Sequence, residues 1–231
     1  MEIKKSRRGS GGYIDYLDEE VDLWKSSINT FEDICSEQFN EADEWYKQGE
    51  LSWYIRGLST VEMFRIQMSS IKNLLNVEVV GETKFSLLVM LHSHAIASIE
   101  SYLASTFIHK VIRSEKLTRK LVETDPRFSK IKFSLSEIYE KGDEIKLIVA
   151  DYLKNLIFHD MKKVSPMFRT VLGVEFGDIS WLFSAISTRH HCTHRAGLDK
   201  QGKRVDITHN SIKSLVKKLE SLVNKIESHK I

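Results

Sequence analysis

A chain of 231 residues with 42% hydrophobic residues suffices for one large domain or two small ones, and its composition excludes disorder. A net charge of +2 provides no global field for nucleic acid, so any basic surface is local. Cys35 and Cys192 lie far apart in sequence, which excludes a disulfide framework and fits a reducing compartment.

Two prolines and eleven glycines are few breakers for this length, and they favour long helices over a many-turned β fold. Residues 1–12 are basic and then Gly/Ser-rich, without an apolar h-region. They read as a frayed tail rather than a secretory signal. Leu17, Val21, Trp24, Ile28, Phe31, Cys35, Ala42 and Trp45 recur mainly at three- and four-residue steps and predict a helix over residues 15–48. Gly49 suits its C-terminal cap. A second stripe, Leu51, Tyr54, Leu58, Val61, Met68, Ile71 and Leu75, predicts its antiparallel partner. Residues 13–80 therefore read as an N-terminal helical hairpin. Trp45, Tyr46, Trp53 and Tyr54 gather at its turn, either as core or as a stacking platform for bases.

Val80-Gly81 breaks the chain before a long helix expected over residues 82–115. Leu88, Leu91, Ala95, Ile99, Tyr102, Leu103, Thr106 and Val111 give it the broad apolar surface of a helix central to a bundle. Its most apolar run, residues 85–99, carries His92 and His94 and is too short to span a bilayer, so the chain reads as soluble and cytoplasmic. Glu100 is either a satisfied charge at the bundle edge or the partner of a buried cation.

A short basic helix over residues 116–123 stops at Asp125-Pro126. Another short piece covers residues 134–141, with Ser134 or Ser136 as cap. After Gly142-Asp143 a helix over residues 143–158 points Ile145, Ile148, Val149, Tyr152, Leu153 and Leu156 inward. Pro166 is expected to begin a further turn or two ending at Gly173. Asp178 is placed to cap one helix and Thr208 the last. That last helix carries Ile212, Leu215, Val216, Leu219, Leu222, Val223 and Ile226 on one face, packed on a bundle or partly a dimer seam. Lys213, Lys217, Lys218 and Lys225 form its other face, either solvated or facing phosphate. Strand alternation, fixed-period repeats, a P-loop and a dinucleotide fingerprint do not occur, so the fold class is all-α.

Residues 188–195 hold three of the nine histidines and two arginines. On a helix advancing about 100° per residue, Leu182, Ile186, Arg189 and Thr193 share a stripe. Arg189 thus continues an apolar face and must meet a carboxylate, a wet cleft or a ligand anion. His190 and His194 share a neighbouring edge. Arg189 and His194 lie about 140° apart on an ideal helix, so they converge only if the helix loosens near Thr193 or a second copy supplies one of them.

Three readings of this stretch compete. Histidines and Arg195 at a helix C-terminus complement its dipole. His190 and His194 have the i, i+4 spacing of zinc ligands, but a protease's glutamate position is taken by His191, and a third ligand would have to be His209 or Cys192. A guanidinium and an imidazole together suit phosphodiester chemistry, one holding phosphate and the other moving a proton.

Arg189, His190 and His194 follow, in order, the motif of the HEPN superfamily: Arg, a polar residue, three further residues, His. An apolar helix before it, an Arg-x-Gly-x-Asp loop at residues 195–199 and a closing amphipathic helix extend the resemblance. So do residues 94–103, residues 151–160 and the segment ending Leu172-Gly173-Val174, which look like a bacterial HEPN subgroup. The resemblance covers residues 85–227 and leaves the N-terminal hairpin as an extension to a HEPN-like helical bundle over residues 81–231.

The resemblance implies a metal-independent endoribonuclease without cofactor, a toxin or antiviral defence effector. Arg189 and His194 would be catalytic, with His190 and Glu100 shaping the site. Arg195, His191, Lys203 and Arg204 would contact RNA. It also implies a homodimer with the site built across its twofold axis, and a possible antitoxin or defence-system partner. The alternative is a non-catalytic HEPN adaptor that binds nucleotide or RNA and a partner such as a nucleotidyltransferase-type antitoxin.

Overall fold

A computed structural model describes residues 60–132 and 145–229, and these belong to one compact unit, Tyr54–Ile231. The expected tail, the helix over residues 15–48 with its aromatic turn, and the piece at residues 134–141 lie outside the described residues. Within them the chain is helical, and the extended pairing is an isolated bridge between Leu198 and Arg204.

The helices are α1 (Thr60–Leu75), α2 (Gly81–Arg113), α3 (Glu115–Thr124), α4 (Ile145–Lys154), α5 (Met161–Met167), α6 (Ser180–Arg195) and α7 (His209–Glu227). Helix α2 is the axis of the bundle: α1, α3, α4, α6 and α7 all pack on it. Its sequence explains this position. Leu91, Ala95, Ile96, Ile99, Leu103, Phe107, Ile108 and Val111 are buried, and they span most of its circumference. By length and apolarity α2 could cross a membrane, but 56% of its most apolar window is buried against the neighbouring helices.

Local signals set most boundaries. Gly81 opens α2 at φ +59°, a left-handed value that favours glycine. Ser114 ends α2 and begins α3, where its Oγ accepts from the Leu117 N–H. Thr208 and Ser211 form a reciprocal capping box on α7, whose seven buried residues are the predicted stripe Ile212 to Ile226.

Pro166 departs from expectation. It lies inside α5 instead of starting a helix. Met161, Val164 and Met167 are buried, and burial of that face outweighs the lost backbone donor. The chain then widens into a π-turn, Phe168–Leu172, and stops at Gly173 with φ +75°. Phe107 on α2 meets Phe168 and Phe158 at centroid distances of 5.1 and 6.5 Å, which seats the segments on either side of α5 against the core.

Candidate functional site

Helix α6 carries the Arg189–His194 stretch, and each end of it is tied down by chemistry legible in the residues. At its start the Asp178 carboxylate accepts from the Ser180 N–H at 2.9 Å. One turn before Arg189, the buried His92 of α2 donates from Nε2 to the Ala185 carbonyl at 2.9 Å. Burial holds the His92 imidazole below its ordinary pKa, which favours the neutral ring. At the far end Ala196 and Gly197 both take positive φ, 50° and 83°, and the Gly197 N–H returns to the His191 carbonyl. A Cβ on Gly197 would lie 2.6 Å from Val89 Cγ2 and 2.9 Å from the Phe85 ring, so only glycine lets this turn reach α2.

The following loop is organised by Asp199. Its Oδ1 accepts from the Gln201 and Lys203 N–H groups at 2.9 and 2.8 Å. Arg204 lies 4.7 Å over the Phe85 ring and pairs with Glu82. Of the expected RNA contacts, Lys203 is exposed in this loop, and Arg204 is engaged with Glu82.

The α2–α6 interface buries Leu182, Ala185 and Cys192 from α6, with Arg189 half-buried between them. The expected stripe included Thr193, which is exposed. Thr193 and the adjacent Cys192 flank the same seam on either side, about 100° apart around the helix, and the seam takes the less polar of the two.

Arg189 meets a carboxylate, as its position on an apolar face demanded. Its Nη2 lies 3.4 Å from Glu100 Oε2 on α2, with side-chain exposures of 22% and 16%. The same carboxylate oxygen is 3.5 Å from His159 Nδ1. His159 comes from the link between α4 and α5, and its neighbour Phe158 is buried against Phe107. The other oxygen, Glu100 Oε1, is buried and has no hydrogen-bond partner among the described residues. Burial pushes the Glu100 carboxyl above the ordinary glutamate range, against the opposing pull of Arg189 and His159.

The histidines occupy a different side of α6. His190 and His194 are exposed, with ring centroids 4.7 Å apart. Arg195 Nη1 donates to His191 Nδ1 at 3.2 Å. Partial desolvation, then the positive charge of His194, Arg195, His191 and Lys200, holds His190 below its ordinary pKa. Helix α6 remains α-helical through Arg195, so the loosening near Thr193 that would turn His194 toward Arg189 does not occur. Within one chain the structure gathers Arg189, Glu100 and His159, and separately His190 with His194.

The groups considered for a third zinc ligand are placed elsewhere. His209 Nε2 is 3.1 Å from the Leu75 carbonyl, at the end of α1. Cys192 is buried, and its thiol pKa is pushed up by that burial. Among the described residues, no three His, Cys, Asp or Glu side chains converge as a metal site. His159 is the residue that sequence reasoning missed. It stood within the segment resembling a bacterial subgroup, but nothing local marks it as a neighbour of Glu100. The chain matches no protein-family model, no curated protein and no solved structure.

Proposed function

We propose that the protein is a metal-independent endoribonuclease of the HEPN type, acting in the cytoplasm as a toxin or antiviral defence effector. One observation carries the reading: a half-buried Arg189 backed by Glu100 lies on the same helix end as an exposed His190–His194 pair. These are the two groups that RNA cleavage by internal attack needs. RNA supplies its own nucleophile, the 2′-OH beside the scissile phosphate. The Arg189 guanidinium stabilises charge developing on the non-bridging oxygens. His194 exchanges a proton with the reacting oxygens. His190 orients that imidazole, and Arg195, His191, Lys203 and Arg204 contact the RNA around it.

Because Arg189 and His194 leave a regular helix on different sides, a twofold pair of chains supplies both to one phosphate. Phe183 lies two turns before His190 on the same exposed face, 39% exposed, where such a pairing would cover it.

The Glu100–Arg189 pair also favours a second reading, since a structural arginine in a non-catalytic adaptor would make the same contact. Incubation of the pure protein with structured and unstructured RNA, beside Arg189→Ala and His194→Ala, separates the two. The enzyme reading expects cleavage that survives chelator and is lost in both variants. The adaptor reading expects RNA or nucleotide binding without product.

A further inference from the structure

The Arg189 side of α6 has no histidine of its own helix, yet His159 reaches it from the α4–α5 link. We propose that His159 is a second proton-transfer group of this site, the one that takes the proton from the RNA 2′-hydroxyl; the proposal rests on the ribonuclease reading above.

Three observations carry it. Glu100 Oε2 lies 3.5 Å from His159 Nδ1 and 3.4 Å from Arg189 Nη2, so one carboxylate aligns an imidazole and a phosphate-binding guanidinium. A ring that donates from Nδ1 to a carboxylate keeps Nε2, on its opposite edge, as the acceptor for a substrate proton. His159 is 40% exposed, whereas Glu100 behind it is 16% exposed, so substrate reaches the imidazole and not the carboxylate. Glu100 Oε1, finally, is buried with no hydrogen-bond partner among the described residues, an arrangement that a purely structural ion pair would avoid.

In the step itself, the 2′-oxygen–phosphorus bond forms as the 2′-OH proton passes to His159 Nε2. The phosphorus–5′-oxygen bond breaks, and the leaving oxygen takes a proton from the His194 imidazolium of a second copy. The products are a 2′,3′-cyclic phosphate and a free 5′-hydroxyl. Exchange with water returns both imidazoles to their starting states.

The test is single-turnover RNA cleavage across pH by the full chain and by His159→Asn and His159→Ala, with Arg189→Ala and His194→Ala alongside. In His159→Asn the side-chain amide can still donate to Glu100 where Nδ1 did, so a role confined to anchoring that carboxylate survives the change. The proposal expects both His159 variants to cleave about a hundredfold slower or worse, the scale of losing one proton-transfer group. It also expects the acid limb of the pH–rate profile to flatten, and added imidazole to restore part of the His159→Ala rate but none of the Arg189→Ala rate. His159→Asn with the wild-type rate and profile would overturn it while leaving the ribonuclease reading intact. A wild type that cleaves no RNA, or Arg189→Ala and His194→Ala variants as fast as wild type, would remove the ribonuclease reading and this inference with it. If His159→Ala melts early, the His159→Asn rate and profile decide.

Discussion

Glu100 Oε2 and Arg189 Nη2 meet at 3.4 Å across the α2–α6 interface, although 89 residues separate them in sequence. The pair explains how a charged residue is tolerated where the apolar stripe of α6 continues. It also makes each partner's fate depend on the other. Arg189→Ala would leave a largely buried carboxylate with His159 as its remaining charged neighbour among the described residues. We expect a loss of about 1–3 kcal/mol of stability, the usual range when a buried polar partner is removed. Urea unfolding at neutral pH measures it. A double variant with Glu100→Gln should recover part of the loss, since it removes the uncompensated charge.

The raised pKa of Glu100 has a sign that can be tested. Above the unfolded value of about 4.5, the folded state holds this proton more tightly than the unfolded state. Its contribution to stability is therefore present at low pH and lost as pH rises through the folded pKa. His92 acts in the opposite sense. Its pKa is depressed by burial, so the unfolded chain takes up the proton first. Its contribution is present above about pH 6.5 and lost as pH falls toward the folded value. Unfolding curves from pH 4.5 to 7.5 should show Glu100→Gln removing a decline with rising pH. His92→Gln should remove a decline with falling pH.

Gly197 and Gly202 separate strain from collision. Both have positive φ, 83° and 77°. A Cβ at Gly202 meets nothing within 4 Å, whereas at Gly197 it meets Val89 and Phe85. Gly202→Ala should lose about 1 kcal/mol, for the left-handed backbone alone. Gly197→Ala should lose about 2 kcal/mol or more, because the turn must back away from α2. Thermal melts of the two variants give the comparison, and equal losses would contradict this account of Gly197.

Phe183→Glu tests the twofold site. Phe183 is 39% exposed and outside the core, so the melting temperature should fall by a few degrees without loss of the fold. If the proposed twofold pair forms, light scattering should shift from dimer to monomer in this variant, and cleavage should fall with it.

The sequence made the helices legible where burial is one-sided. The α7 stripe and its Thr208 cap follow directly from a 3.6-residue period and a capping residue. The need of Arg189 for an anion was also legible, because an arginine in line with Leu182 and Ile186 cannot stay dry and unpaired. The choice of Cys192 over Thr193 for the seam was not legible. Both lie within about 60° of Arg189 around the helix, and only the surface of α2 decides between them. Pro166 misled because local propensity favours proline at a helix start, while three buried neighbours fix where α5 lies. His159 was hidden for a simpler reason. Its partner is on α2, and convergence of distant segments leaves no trace in a single chain's local pattern.

The central claim is that this chain cleaves RNA by internal attack, using Arg189 and His194. The most direct measurement is end-group analysis of RNA incubated with the pure protein in excess chelator, using a matched substrate with a 2′-deoxy at the cut site. The account predicts products ending in a 2′,3′-cyclic phosphate, resistance of the deoxy substrate, and rates about a hundredfold lower or worse in Arg189→Ala and His194→Ala. Activity that vanishes with chelator and returns with zinc, or an unchanged rate in His194→Ala, would contradict it.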